Sequence, residues 1–160
     1  FVKAALLVLT HRPEVRFLVV GDGEALDSVK ALAERLGISQ RVVFAGMRRD
    51  IPELLSCMDV FVFPATREAF GLCLAEAMAS GRPIVAADSA AVPEIVRDSV
   101  DGLLFPPGNE QALARSVLRL LDDHTLAQTL AANALQRSRD FTSSAMAHAM
   151  ESVYTEILDA

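Results

Sequence analysis

With 160 residues, 52% hydrophobic content and a mean hydropathy of +0.33, the chain is long enough for one domain with a sizeable core and too short for two. Fifteen Lys and Arg against 21 Asp and Glu give a net charge of −6 and a pI near 5.0. That balance argues against a nucleic-acid partner and a strong electrostatic hold on anionic lipid. No apolar run approaches the roughly 18 residues of a transmembrane segment, and no signal peptide is evident. Cys57 and Cys73 have no CxxC spacing and read as reduced core residues of a cytoplasmic chain; three scattered histidines suggest no metal site.

In chain order, Phe1 to about His11 predicts a helix that Arg12-Pro13 ends before a strand at Arg16–Val20. The turn Gly21-Asp22-Gly23-Glu24 leads into a helix running to about Leu36, where Gly37 stops it. A dinucleotide fingerprint would need glycine where Leu26 stands, so a plain strand-to-helix turn is the better reading. Val42–Ala45 is the next strand, followed by the loop Gly46-Met47-Arg48-Arg49. Asp50 then opens a helix with Glu53 three residues on, as in a capping box, and Pro52 fits the first turn. Arg48 and Arg49 suit either a phosphate or base edge or an ordinary solvated surface pair.

The central unit runs from Val60 to Asp88. Val60–Phe63 and Ile84–Ala87 are short apolar runs, each expected to be buried on both faces. Between them Leu72, Leu74, Ala75, Ala77, Met78 and Ala79 form the apolar body of a helix that Gly81 and Pro83 stop, which makes a βαβ crossover. Glu68 precedes this helix and Glu76 lies about one and a half turns into it, so both can face one crevice. At the helix start the N–H groups of Phe70, Gly71 and Leu72 would be free for an anion such as a phosphate. By spacing alone two plainer readings stay open: Glu68 as a helix cap and Glu76 as a solvated surface charge.

Glu94 begins a short helix, Gly102–Phe105 is the last strand, Pro106-Pro107-Gly108 ends it, and Asn109 caps the following helix. To Ala160 the pattern is helical, with Thr142 starting the last helix. Leu113, Val117, Leu120 and Leu121 form one apolar stripe, Leu126, Leu130 and Leu135 a second, and Met146, Met150, Val153, Tyr154 and Ile157 a third, all expected to be packing faces. The sum is an α/β chain, a Rossmann-like parallel sheet with flanking helices and a C-terminal helical tail. Gly21-Asp22, Gly46–Arg48, Thr66–Gly71 and Asp88–Ala91 each follow a strand, so they share the carboxyl edge where open α/β sheets bind ligands.

The phrase EAFGLCLAEAMASGRPIV, with FLVVGDGE, RVVFAG and PEIVRDSVDGLLFPPGN in the same order, resembles the donor-binding half of the group 1 glycosyltransferases, a retaining family of GT-B fold. The resemblance covers nearly the whole chain. It implies that Glu76 holds the ribose hydroxyls of a nucleoside diphosphate sugar and that the backbone of Ala69, Phe70, Gly71 and Leu72 meets the diphosphate or sugar. It further implies that Glu68 is catalytic, near the reacting carbon, and that Gly46, Met47 and Arg48 seat the base. No cofactor or metal is implied.

Residues 1–160 would then be a single nucleotide-sugar-binding domain, the C-terminal half of a hexosyltransferase-type enzyme. Its acceptor-binding N-terminal domain would lie in the parent chain, the fragment alone would be inactive, and the full-length enzyme would be cytoplasmic or peripheral at the membrane. Two departures stand out. The family's first strand, with a following arginine and lysine, is not found here, and alanines occupy positions 90 and 91 where the family often has glycines. Because that strand would be central in the sheet, either Arg16–Val20 and Val60–Phe63 close up side by side, or a longer parent chain supplies it. A GT-B sugar-nucleotide epimerase domain and a non-catalytic Rossmann-like binding module are the alternative readings.

Overall fold

The computed structural model describes residues 1–159. Five short parallel strands alternate with helices, and three further helices follow. The order is α1 (Val2–His11), β1 (Phe17–Val20), α2 (Leu26–Arg35), β2 (Val42–Gly46), α3 (Ile51–Ser56), β3 (Phe61–Phe63), α4 (Leu72–Ala79), β4 (Ile84–Ala87), α5 (Val92–Ile95), β5 (Leu103–Phe105), α6 (Glu110–Asp122), α7 (His124–Arg137) and α8 (Ser143–Leu158). Among the described residues no helix is long and apolar enough to cross a membrane.

The strands form two parallel sheets. β1 pairs with β2, with Phe17 opposite Val42, while β3, β4 and β5 make the second, with Phe61 opposite Ile84 and Val85 opposite Leu103. β1 and β3 do not close up side by side, which corrects one of the two expected arrangements. Their consequence is visible in burial: Leu18, Val19, Val20, Phe61 and Val62 are only half-buried, whereas all four residues of β4 are buried. A common hydrophobic layer still unites the two sheets. Val19 of β1, Val62 of β3 and Val85 and Ala87 of β4 pack in the same core as Val8 of α1 and Leu113, Val117 and Leu120 of α6. On the opposite face Ile84 and Ala86 pack with Leu74, Ala77 and Met78 of α4, Ile95 of α5 and Ala134 of α7. The period of two along β4 thus feeds both layers, as a strand covered on both faces must.

Local punctuation acts as its chemistry requires. Gly37 takes φ +71° after α2, where Ile38 N–H reaches Ala33 O. Asn109 caps α6 by accepting from Ala112 N–H at 2.9 Å, and Thr142 caps α8 by accepting from Ala145 N–H at 3.2 Å. Asp50 does sit at the start of α3, but its side chain makes no capping bond. Both carboxylate oxygens accept from Arg48 instead, at 2.8 and 2.5 Å, and this partner outcompetes a neutral amide.

Two readings of side-chain burial are corrected. Cys57 is exposed and Cys73 half-buried, so neither is a core residue; α3 is so short that Leu55 is its sole buried side chain. The third apolar stripe is not packed: Met146, Met150, Val153, Tyr154 and Ile157 are 48–67% exposed, and α8 buries no residue. A shallow concavity of about 530 Å³ on this helix, lined by His148, Glu151, Ser152, Thr155, Glu156 and Asp159, has residues of no second element in its wall.

Candidate functional site

The loop between β3 and α4 is organised by Gly71. It stands at the N-terminal end of α4 with φ +79°, and a Cβ there would come within 3.2 Å of the Leu74 side chain and 3.3 Å of Glu68 Cγ. Among the described residues the N–H groups of Phe70, Gly71 and Leu72 donate to no acceptor, and no side chain caps the helix. Unpaired amides at a helix start present partial positive charge to an anion. Glu68 does not serve as the cap: its Oε1 accepts from its neighbour Ala69 N–H at 3.1 Å, short of the helix.

Glu76 lies on the side of α4 away from the buried Leu74, Ala77 and Met78; it is exposed, and its side chain makes no hydrogen bond or ion pair among the described residues. Cys73 connects it to the loop. Burial pushes the Cys73 thiol above its usual range, and the negative charges of Glu68 and Glu76 push it the same way. The two carboxylates therefore flank one half-buried thiol at the start of α4. Leu72 beside them is 72% exposed.

A raised folded value keeps Cys73 neutral until the solution is more alkaline than an ordinary thiol requires, so its reactivity grows only as pH climbs through that value. Iodoacetamide at about pH 8 is expected to modify exposed Cys57 well before Cys73, with the gap narrowing toward about pH 10. Equal rates at the lower pH would contradict this placement.

Neighbouring loops are tied into the same edge. Gly21 N–H donates to Gly46 O at 2.8 Å, with a register shift between Val19 and Val20 and φ +65° at Gly46 where the β2 loop begins. Met47 is 73% exposed there. The Arg48 side chain is held by Asp50, whose carboxyl that hydrogen bond draws below its usual range. The loop thus offers its backbone and Met47, with the guanidinium already engaged. From the β4 loop, Ser89 Oγ donates to Thr66 O at 2.9 Å, joining it to the β3 loop. The sequence places Ser89 on this edge only as part of Asp88–Ala91; nothing in an isolated serine signals such a partner.

Next to Ser89, Ala90 takes φ +50°, the left-handed backbone that glycine would adopt without strain. That conformation costs an L-residue about 1–2 kcal/mol, and glycine's freer unfolded chain offsets about 0.4–1 kcal/mol of any gain. Ala90→Gly is expected to raise stability by about 0.5–1 kcal/mol, seen as a higher denaturant midpoint at an unchanged slope. A lower midpoint would contradict the strain.

Comparison with known proteins bears on what occupies this edge. The family profile described as Glycosyl transferases group 1 matches residues 1–123. The lipopolysaccharide core biosynthesis glycosyltransferase LpsE of Rhizobium meliloti is 35% identical over 74% of this chain and 35% of its own length. N-acetyl-alpha-D-glucosaminyl L-malate synthase of Bacillus anthracis is 30% identical over 98% of this chain and 42% of its own. Among solved structures, Anabaena Alr3699/HepE in complex with UDP and glucose superposes with a TM-score of 0.87 at 30% identity, covering 96% of this chain and 44% of that one. The chain thus spans less than half the length of these relatives.

Proposed function

The chain belongs to the group 1 glycosyl transferases, as a glycosyltransferase domain of GT-B architecture, and on that premise we propose that the start of α4 is its nucleoside diphosphate sugar site. The observation that carries this reading is the presence, at the start of α4, of three unpaired N–H groups and two carboxylates that, among the described residues, pair with no cation. Diphosphate oxygens are acceptors and suit the amides of Phe70, Gly71 and Leu72; ribose hydroxyls are donors and suit the Glu76 carboxylate. Ala69 and the Gly46–Arg48 backbone border the sugar and the base. Glu68 stands toward the reacting carbon as the catalytic carboxylate.

In the whole enzyme the reaction is transfer of a hexose to an acceptor hydroxyl with retention of configuration. Helix-start amides stabilise the negative charge that grows on the departing diphosphate, a contribution that increases toward the transition state. The acceptor is held by an N-terminal domain, so these 160 residues bind donor without turning it over. The activity is assigned to a cytoplasmic enzyme, with peripheral membrane attachment a matter of the whole protein.

Calorimetric titration of the chain with UDP, GDP and ADP tests the proposal. UDP comes first because the Anabaena neighbour was solved with it. Saturable binding of one nucleotide is the expected result. Silence with all three would overturn the donor site and leave a non-catalytic Rossmann-like module, and measurable sugar transfer by the chain alone would overturn its assigned inactivity.

A further inference from the structure

Phe70 supplies one of the unpaired amides, yet its own ring is 40% exposed in a loop without regular structure. Its ring meets Phe141 edge-to-face, with centroids 5.8 Å apart and planes at 74°. Phe141 lies in the 3₁₀ turn after α7 and is in turn covered by the Arg137 guanidinium, 5.4 Å from the ring centroid. Arg137 is the last residue of α7 and is fixed on several sides. Its Nε donates to Ile95 O at 2.8 Å, its Nη2 donates to Glu94 O at 2.6 Å, and Asp101 and Asp140 carboxylates lie 3.8 and 3.9 Å away. Beneath it Ala134 is packed in the same core as Leu74, Ala77 and Met78 of α4.

We infer that Arg137 and Phe141 are positioning residues for the loop that carries Glu68 and the Phe70–Leu72 amides. The inference rests on the donor-site reading above. An immobile guanidinium fixes one ring, that ring fixes a second, and the second belongs to the residue whose peptide plane must aim at the ligand. The other cross-tie of this loop is the Ser89–Thr66 hydrogen bond, which lies four residues upstream of Phe70. Without the aromatic contact the amides sample several orientations, and each bound anion must order them first.

The test is UDP and uridine titration of the wild type, Phe70→Leu, Phe141→Leu and the double variant, with Phe141→Tyr as the conservative replacement. Each leucine variant is expected to lose about tenfold in UDP affinity, the double no more than a single, with uridine affinity unchanged and Phe141→Tyr restoring UDP binding. A merely structural role would weaken both ligands together. UDP affinity unchanged in Phe141→Leu, additive losses, or a matching loss of uridine overturns the inference and leaves the donor site standing; absence of nucleotide binding by the wild type overturns both. Should a leucine variant not fold, Phe141→Trp gives the chain its sole tryptophan. Its emission is expected to change on addition of UDP, and constancy overturns the inference.

Discussion

Asp101→Ala is expected to lower the melting temperature by about 6–12 °C, the equivalent of about 3 kcal/mol in a domain of this size. Asp101 is the one charged residue with no exposure among the described residues. Its carboxylate accepts from Arg97 N–H at 2.5 Å and from Arg97 Nε at 2.6 Å, with Arg137 Nε at 3.8 Å. Removing it leaves a part-buried amide without its acceptor and takes a counter-charge from two arginines. The loss stays near the lower end for a broken buried pair because the Arg97 side chain is 51% exposed and water can take over its solvation. The rest of the turn is tightly specified, with Asn133 Nδ2 donating to Val100 O at 2.7 Å. Ser99 stands at φ +58°, Asp98 Oδ1 accepts from Leu104 N–H at 2.8 Å, and a Cβ at Gly102 would lie 2.5 Å from Val96 Cγ1. Asp101→Asn, which keeps one acceptor and the shape, should lose less than half as much. Thermal denaturation of the three proteins decides, and an alanine variant that melts with the parent would show that the carboxylate is dispensable.

Alternation of apolar runs with glycine stops made most of this architecture readable. Ile84–Ala87 is a strand because four small and branched apolar residues sit between Pro83 and a polar turn, and Asn109 and Thr142 cap helices because their side-chain oxygens replace a missing carbonyl. The candidate site rests on the same kind of signal. A glycine at a helix start with carboxylates on either side is a local pattern, and local patterns are what sequence spacing encodes. Long-range partners are not. Nothing near Phe141 announces Phe70, and nothing near Asp101 announces Arg137. Nor could Asp50 be seen to prefer Arg48 over the amides of α3. The stripe on α8 shows the opposite failure: an amphipathic pattern states that a face is apolar without stating what covers it. The split between β1 and β3 follows similarly, since strand spacing gives order along the chain and pairing depends on which edges meet.

Glu76→Ala carries the second large effect, about a 100-fold loss in nucleoside diphosphate affinity. A hydrogen bond to a charged group is worth about 1.5–3 kcal/mol, and in the proposed donor site a carboxylate shared by two ribose hydroxyls would place the sum near 3 kcal/mol. Stability should hardly move, because the side chain is exposed, unpaired among the described residues, and replaced by a better helix former. Glu76→Gln retains one acceptor and should fall between, at about tenfold. A 2′-deoxy nucleotide supplies the complementary arm, weakening wild-type binding while leaving Glu76→Ala indifferent to the missing hydroxyl.

The amides themselves give the most direct measurement. Nitrogen-15 correlation spectra of the chain, recorded as UDP is added, should show the largest shifts at the N–H groups of Phe70, Gly71 and Leu72, with smaller changes at Gly46 and Met47. Shifts that gather elsewhere on the surface while those three resonances stay fixed would contradict a diphosphate seated at the start of α4.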